Sequence, residues 1–470
     1  MKDRNKEVTI ITYFFFFIFI ALVGYFIYFQ AVKSETFINS PYNTLQDLFS
    51  EHVVRGKIIS ADGYTLAETE VKENGDEVRK YPYGRKFAHA VGYSTNGKTG
   101  LESQANFALL RSHEFFADQI INDFKDEKNI GDNVITTLDY EIQNRAYEAL
   151  GDQRGAVIIM EPATGKIIAM VSKPDYDPNS VVKNWEKLNS SEDSVLYNRA
   201  TQGLYAPGSV FKIVTLLEYY RENTKSYKDY SYKCTGSISH DGKTLKCAGG
   251  EVHGSLNLKE SFAESCNSSF ANIGLQINND KLKKTCNSLL FNKDLPIEFE
   301  SSKSRFSLSS KDSDALTMET SIGQGKTMVS PLHMVMLASS INNKGTLMKP
   351  YLIDHIENNA GDTISTTKPE EYGQLMSEKE AALIESYMAE VVKSGTGTKL
   401  KGQSYKAYGK TGTAQVSDSD ANKTNAWFVG YASKKGYNDI AIAVIVEHSG
   451  TGSKYAIPVA KRVFDLYFNR

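Results

Sequence analysis

The sequence predicts an α/β protein in which helices pack on an antiparallel sheet, preceded by a β-rich N-terminal part and one apolar helix. Two strand-like runs at 426–432 and 440–446 are joined by a polar loop, as in a β-hairpin, and a third such segment lies at 155–171. After Ser209, apolar residues recur with helical spacing. The 470 residues leave room for about two to four domains of about 100–200 residues each.

The first predicted element is a helix that crosses a membrane. Residues 8–29 are 22 consecutive uncharged, mostly apolar positions, and a bilayer core of about 30 Å needs a helix of about 20 residues. Three basic residues precede this run, and only Lys33 follows it closely. Because basic residues stay on the cytoplasmic side, we expect 1–7 to be a cytoplasmic tail, 8–29 a single-pass transmembrane helix, and the rest of the chain to be extracytoplasmic.

A cleaved signal peptide is the alternative interpretation of the same segment. However, the apolar run is longer than the usual h-region, and no Ala-x-Ala cleavage site follows it. An uncleaved anchor therefore fits the sequence better.

Two domains are predicted after the anchor. Residues 30–150 mix short β-like pieces, charged loops and a helical run at 141–150, which indicates an elongated, β-rich pedestal. Residues 151–470 are expected to form the larger domain, in which helices pack on a sheet. Its strands are expected at 155–171 and 410–446, its helices between 209 and 345, and a closing helix at 459–468.

The charge of the chain argues against a nucleic-acid-binding protein. The formal net charge is -2 and the isoelectric point is about 6.5. Neither a basic run nor a zinc-knuckle spacing is present in the sequence.

Three short motifs stand in one order along the chain and together indicate a site for serine acyl transfer: Ser209-Val210-Phe211-Lys212, Ser265-Cys266-Asn267 and Lys410-Thr411-Gly412-Thr413. On a helix, side chains three positions apart are separated by about 5–6 Å at Cβ, so the Lys212 amine can reach the Ser209 hydroxyl. Lysine has an ordinary pKa of about 10.4, so burial and a second cation must favour its neutral form. Lys410 is the candidate for that cation, and Gly412 would let a substrate backbone pair along the sheet edge.

Each motif alone is weak evidence. Ser-x-x-Lys recurs at Ser180 and at Ser365, both in loop-like sequence, and Lys-Thr-Gly recurs at Lys98, ahead of the proposed nucleophile. In isolation, Ser209 and Lys212 would be an ordinary N-cap and a solvated lysine, and the two threonines would reflect β-propensity. The order of the three motifs favours a catalytic site.

Further segments extend the likeness beyond the motifs. They are Arg-Gly-Lys-Ile at 55–58 with Asp-Gly-Tyr-Thr-Leu-Ala at 62–67, Gly-Lys-Thr-Gly-Leu-Glu at 97–102, the strand and turn at 155–165, Asn198-Arg199-Ala200, and Ile322-Gly323-Gln324-Gly325. With these residues the chain resembles a class B penicillin-binding protein, a monofunctional D,D-transpeptidase of cell-wall synthesis, over nearly its whole length. The resemblance implies the penicillin-binding transpeptidase fold with an N-terminal pedestal of the dimerisation-domain kind.

The resemblance also implies a mechanism. Ser209 would attack the penultimate D-Ala carbonyl of a peptidoglycan stem peptide, Lys212 would accept its proton, and Ser265 would relay a proton to the leaving amine. Asn267 would hold the donor amide, and the Lys410, Thr411, Gly412 and Thr413 strand would bind the carboxylate. The backbone N–H groups of Ser209 and Thr413 would form the oxyanion hole. β-Lactams are the implied inhibitors, and a polytopic glycan polymerase is the implied partner in the membrane.

Features of the sequence also bear on rival functions. A β-lactamase would need a water-activating Glu-x-x-Leu-Asn, which does not follow Ser265. A membrane-anchored β-lactam sensor would need a cytoplasmic signalling domain, whereas only seven residues precede the predicted span. A bifunctional polymerase would need a further glycosyltransferase domain, and residues 30–150 are too few to form one. A D,D-carboxypeptidase, which transfers the acyl group to water, is the closest rival.

No cofactor is expected for catalysis, but the cysteines suggest a structural metal. Three of the four cysteines fall at 234, 247 and 266, with His253 among them. Some elongation-type relatives resemble this chain in having a histidine followed thirteen residues later by a cysteine, and those relatives bind zinc there. A closed Cys3His zinc site at Cys234, Cys247, His253 and Cys266 is one prediction. A Cys234–Cys247 disulfide with a buried Cys266 thiol is the other.

Overall fold

The computed structural model describes residues 2–30, 51–125, 127–416 and 423–470. Residue 1 of the predicted tail, and 31–50 and 126 of the predicted pedestal, lie outside the described residues. The chain begins with the helix Lys2–Tyr28, and its segment Lys6–Tyr28 is long and apolar enough to cross a membrane, with none of it buried in the protein. The prediction of one N-terminal apolar helix is confirmed.

The N-terminal part is built on a six-stranded sheet. In spatial order its strands are Thr363–Thr366, Ile353–Glu357, Asn133–Thr136, Ile58–Ile59, Thr65–Val71 and Glu77–Lys80. A separate parallel pair joins Val53–Val54 to Asn129–Ile130. Short helices cover this part, at Ala88–Val91, Gly100–Gln104, Asn106–Leu109 and Phe116–Lys125.

A buried ion cluster ties together the two N-terminal motifs. The carboxylate of Glu102, fully buried, accepts hydrogen bonds from Arg55 at 2.6 Å and from Arg79 at 2.7 Å. Burial raises the pKa of Glu102, but the two guanidinium groups outweigh it and hold that pKa below its ordinary value. This contact joins the Arg-Gly segment at 55–58 to the Leu-Glu segment at 101–102.

The larger part is built on a five-stranded antiparallel sheet. Its strands, in spatial order, are Lys406–Gln415, Thr424–Ser433, Ile440–Val446, Gly155–Met160 and Ile167–Lys173. Both faces of the sheet are covered, so the strands Gly155–Met160 and Ile440–Val446 are buried at every position. Continuous apolar runs are typical of strands covered on both faces, and the predicted hairpin and α/β class are confirmed.

Helices cover the two faces of this sheet. The helices Tyr140–Leu150 and Gly452–Tyr467 pack together on one face, and Pro331–Asn342 packs on the other. Asp139 caps the first of these by accepting a hydrogen bond from the Ile142 N–H at 2.9 Å. The remaining helices are Val181–Asn189, Lys212–Glu222, Leu258–Ala263, Asn267–Gly274, Asn279–Ser288, Asp314–Ser321 and Glu378–Lys393. Short strands lie at Ser231–Cys234, Ser237–His240, Lys243–Lys246, Gly254–Asn257, Thr346–Met348 and Glu371–Gln374.

Two strands from late in the sequence complete the N-terminal sheet. Ile353–Glu357 pairs with Asn133–Thr136 on one side and with Thr363–Thr366 on the other. Residues beyond 151 therefore contribute to both sheets, which the sequence pattern did not indicate.

Candidate active site

Ser209 lies on a short turn pressed against the edge strand of the large sheet. The 3-10 turn Gly208–Phe211, here called the Ser209 turn, leads into the helix Lys212–Glu222. Gly208 has a φ of 53°, and a Cβ there would lie 2.6 Å from the carbonyl oxygen of Thr413. Only glycine fits this approach. Ser209 therefore sits one turn ahead of the α-helix on which the sequence placed it.

The strand Lys406–Gln415, here called the KTG strand, forms the opposite wall. A Cβ on Gly412 would lie 3.1 Å from the Pro207 carbonyl oxygen, so the absence of a side chain lets the Ser209 turn approach the strand. The hydroxyl of Thr411 shares a 2.6 Å hydrogen bond with that of Thr396. Thr396 was missed from the sequence, although the Ser/Gly/Thr run at 394–398 was a loop signal.

The loop of residues Ser265, Cys266 and Asn267, here called the SxN loop, joins the helices Leu258–Ala263 and Asn267–Gly274. Ser265 has a φ of 56°, which is uncommon for a residue with a side chain. The Ser265 N–H donates to the Phe262 carbonyl at 3.2 Å, and the Cys266 N–H donates to the Ser261 carbonyl at 3.0 Å. These bonds hold the strained backbone that presents the two polar side chains.

Lys212 connects the first two motifs. Its Nζ atom donates to the Ser265 carbonyl at 2.6 Å, to Asn267 Oδ1 at 2.8 Å and to Ser265 Oγ at 3.3 Å. Within the described parts of the chain no hydrogen bond joins Lys212 to Ser209, so the contact expected from helical spacing is not made. Lys212 is completely buried, and burial lowers its pKa to about 7.

Lys410 lies beside this group and is also completely buried. Its Nζ atom donates to the Thr411 carbonyl at 3.1 Å and stands 5.5 Å from the centre of the Phe262 ring. Burial, together with the charge of Lys212, lowers the pKa of Lys410 well below its ordinary value. Two buried ammonium groups repel each other, so the pair disfavours the doubly protonated state.

The recurring copies of the motifs lie elsewhere. Ser180 ends a 3-10 turn and its hydroxyl donates to the Asp177 carbonyl at 3.0 Å. Ser365 lies in the exposed strand Thr363–Thr366, and Lys98 lies in the N-terminal part of the chain. Neither serine belongs to the group formed by the three ordered motifs.

The four predicted metal ligands lie together, here called the cysteine cluster (Cys234, Cys247, His253 and Cys266). Their ligand atoms all lie within 4.8 Å of one another. The sulfur of Cys247 is 3.7 Å from those of Cys234 and Cys266, and Nδ1 of His253 is 3.3 Å from the Cys234 sulfur. A disulfide requires about 2.05 Å, so these cysteines are free thiols.

Within the cysteine cluster, the pKa shifts favour the thiolate of Cys247 and the thiol of Cys266. A hydrogen bond from Cys266 lowers the pKa of Cys247 to about 4, and the same bond raises the pKa of Cys266. The Ser268 hydroxyl, which is fully buried, lies 3.2 to 3.4 Å from all three sulfurs. Ser268 was not identified from the sequence, because a serine in the first turn of a helix gives no distinct signal.

Two family models match the chain. The model described as penicillin binding protein transpeptidase domain matches residues 155–465, and the one described as penicillin binding protein A dimerisation domain matches 55–134. The peptidoglycan D,D-transpeptidase PbpA of Mycolicibacterium smegmatis is 33% identical over 439 residues, covering 87% of each chain.

Solved structures give the same result. An imipenem acyl-enzyme complex of penicillin-binding protein A from M. tuberculosis superposes with a TM-score of 0.78 at 27% identity, covering 88% of this chain and 98% of that one. A D,D-transpeptidase domain from Eggerthella lenta gives a TM-score of 0.77 at 29% identity, with 88% and 98% covered.

Fold and motifs thus define a serine acyltransferase whose three motifs come from three separate segments of the chain: the Ser209 turn with Lys212, the SxN loop and the KTG strand. The chain belongs to the penicillin-binding protein transpeptidases, as a serine-type peptidoglycan D,D-transpeptidase with an N-terminal dimerisation domain.

Proposed function

We propose that Ser209 is the nucleophile of this transpeptidase and that Lys212 is its general base. The convergence of the three motifs carries this assignment: the Ser209 turn lies against Thr413, and the buried Lys212 hydrogen-bonds to Ser265 and Asn267. Apo sites often hold such catalytic bonds in unproductive arrangements. A small rotation of the Lys212 side chain toward Ser209 is therefore part of the proposal.

The reaction proceeds through an acyl-enzyme. Ser209 Oγ attacks the carbonyl carbon of the penultimate D-Ala in a stem peptide and gives its proton to Lys212. The peptide bond to the terminal D-Ala breaks, and that D-Ala leaves as an amine with a proton relayed through Ser265. An acceptor amine then attacks the ester, a new amide bond forms, and Ser209 regains its proton.

The remaining residues bind and polarise the donor peptide. Lys410, Thr411 and Thr413 would receive its carboxylate, and Asn267 its amide. The backbone of Gly412 would lie beside the peptide. The N–H groups of Ser209 and Thr413 would hold the oxyanion, where one donor is typically worth about 3–4 kcal/mol in the transition state.

Because both lysines are buried, binding of the substrate carboxylate would also affect the protonation of Lys212. A bound carboxylate supplies a counter-charge that favours the protonated form of Lys410. The charge on Lys410 then disfavours a charge on Lys212, so the base becomes neutral when the donor is in place.

Two measurements test these roles. Peptide mapping of the penicillin-labelled chain should find the adduct on Ser209. Incubation with a donor and an acceptor should yield crosslinked dimers. Trimmed monomers alone would assign the site to the carboxypeptidase reaction.

We further propose that the cysteine cluster holds a structural zinc ion. Three sulfurs and one imidazole nitrogen are a usual zinc donor set, and tetrahedral ligands at about 2.3 Å place sulfurs about 3.8 Å apart. The separations of 3.7 Å match this value. A zinc ion there would crosslink the loop of 234–253 to Cys266, and so support the SxN loop.

We also propose how the chain is placed in the cell. The apolar segment 8–29 would anchor it as a single-pass protein, with the tail 1–7 in the cytoplasm and the catalytic domain outside. The division into a pedestal at 30–150 and a transpeptidase domain at 151–470 is part of this proposal, as are stem peptides and β-lactams as ligands. A polytopic glycan polymerase would bind the anchor and the pedestal, and co-purification from membranes tests that partner.

A further inference from the structure

The two halves of the site come from different segments, yet they need a fixed separation. One half is the Ser209 turn and the other is the KTG strand. The assigned oxyanion donors, the N–H groups of Ser209 and Thr413, lie one on each segment. An error of about 1 Å between such groups can cost about a hundredfold in rate. The structure therefore needs a contact that sets this separation.

A single tryptophan makes that contact. Trp427 lies on the strand Thr424–Ser433 and pairs in register with Gly412. Its indole N–H donates a 3.1 Å hydrogen bond to the carbonyl of Ala206, three residues before Ser209. The Trp427 side chain is completely buried, and Ala206 is half-buried.

The missing side chain of Gly412 leaves room beside the KTG strand for Trp427. A Cβ on Gly412 would lie 3.1 Å from Cβ of Trp427, from the Pro207 carbonyl oxygen and from a methyl group of Val210. The tryptophan and the segment that leads into the Ser209 turn therefore meet where the strand has no side chain. The Trp427 ring reaches from one strand, past Gly412, to the backbone of the next segment.

A second tether supports the same segment. The Tyr205 ring packs edge-on against Trp427 at 6.0 Å, and its hydroxyl donates to the Glu447 carboxylate at 2.7 Å. Arg199 holds the same carboxylate at 2.9 Å. The Gly208 N–H donates to the Gly323 carbonyl at 2.8 Å, which fixes the other end of the segment.

We propose that Trp427 is a positioning residue that sets the distance between the two oxyanion donors through its bond to Ala206. This inference rests on the assignment of Ser209 and Thr413 in the proposed function. Trp427 touches no reacting atom, and its effect passes through the backbone of 206–208. Tyr205 supports it by fixing the orientation of the indole ring.

The test is Trp427→Phe, which keeps an aromatic ring and removes the N–H. We expect the acylation rate constant for penicillin, per titrated active site, to fall about 10- to 100-fold, with the dissociation constant of the preceding non-covalent complex unchanged. In the infrared spectrum of the acyl-enzyme, the ester carbonyl band should move to higher wavenumber, because its hydrogen bonds weaken. A merely structural loss would lower the melting temperature without moving this band.

Trp185 provides the matched control. It is the other tryptophan of the chain, lies on the helix Val181–Asn189 and packs against Tyr93. Trp185→Phe should leave both the rate constant and the band unchanged. Tyr205→Phe, a milder change, should move both in the direction of Trp427→Phe and by less, and it decides the question if Trp427→Phe does not fold.

Unchanged acylation and an unmoved band in Trp427→Phe, or in Tyr205→Phe if only that variant folds, would overturn the proposal. A loss confined to the dissociation constant would overturn it as well. The assignment of Ser209 fails separately, because an ester band that persists in Ser209→Ala would contradict the nucleophile whatever the tryptophan does.

Discussion

The amine of Lys212 donates a 2.6 Å hydrogen bond to the backbone carbonyl of Ser265. That carbonyl belongs to a residue with a φ of 56°, a conformation that costs energy unless its surroundings hold it. The bond therefore works in both directions: it stabilises the SxN loop, and it satisfies a buried amine. A substitution in either motif should therefore change the geometry of the other.

Replacing the nucleophile tests the assignment most directly. Ser209→Ala should abolish covalent labelling by a fluorescent penicillin, because no other hydroxyl lies in the Ser209 turn, while thermal unfolding stays nearly unchanged. Ser180→Ala and Ser365→Ala are the controls and should label fully. Residual labelling of Ser209→Ala at either of those serines would place the nucleophile there.

The acylation rate should depend on pH through Lys212. Its pKa is lowered to about 7, and only the neutral amine accepts a proton. The acylation rate constant should therefore be small below that pH, rise as pH increases through about 7, and level off above. A rise only near the ordinary lysine pKa of about 10.4 would contradict this.

Lys212→Arg gives the control for that profile. Arginine keeps the positive charge but stays protonated at all accessible pH values. We expect no acylation by this variant across the neutral range. Measurable acylation with a rise near pH 7 would show that a different group titrates.

Removing Lys410 should weaken binding of the substrate carboxylate. A hydrogen bond to a charged group is worth about 1.5–3 kcal/mol, so Lys410→Ala should slow acylation about 10- to 100-fold at low substrate concentration, although Ser209 is intact. Stopped-flow measurement of acylation gives this value. Lys406→Ala, at the exposed start of the same strand, should acylate normally. Equal effects in both variants would show that Lys410 does not bind the substrate carboxylate.

Metal analysis tests the cysteine cluster. The purified chain should contain about one zinc ion, and Cys266→Ser should lose it because a closed site needs all four ligands. Cys286→Ser is the matched control, since Cys286 is buried in the core outside the cluster, and it should keep the metal. A metal-free chain with a Cys234–Cys247 disulfide would exclude the site.

Truncation tests the anchor. A chain that begins at Lys33, which lies outside the described residues, should be soluble without detergent and still react with penicillin. The catalytic residues begin at Ser209, far beyond the cut. A continued need for detergent would indicate a second membrane-binding surface.

The sequence predicted those parts of the protein that depend on local pattern. The hairpin of Thr424–Ser433 and Ile440–Val446 was predicted from apolar runs around a polar loop. The helix Tyr140–Leu150 was placed to within one residue. The closing helix was expected at 459–468 but begins earlier, at Gly452. Its start was misplaced because Pro458 lies inside the helix, where a proline usually marks a boundary.

Parts that depend on distant contacts were not predictable. The Ser209 turn is 3-10 rather than α-helical where Gly208 meets Thr413, about two hundred residues away in sequence. The Lys212 side chain is directed toward Ser265, a hydrogen-bond partner that comes from another segment of the chain. The spacing of Ser209 and Lys212 contains no information about either contact.

The pairing of Ile353–Glu357 with Asn133–Thr136 has a consequence for how the chain folds. The N-terminal sheet cannot be completed until residue 366 has been synthesised, so the edge of Asn133–Thr136 that pairs with Ile353–Glu357 stays open until then. Long-range pairing of this kind is slow and leaves strands prone to aggregation. A nascent chain arrested after residue 150 would therefore hold an unfinished N-terminal sheet.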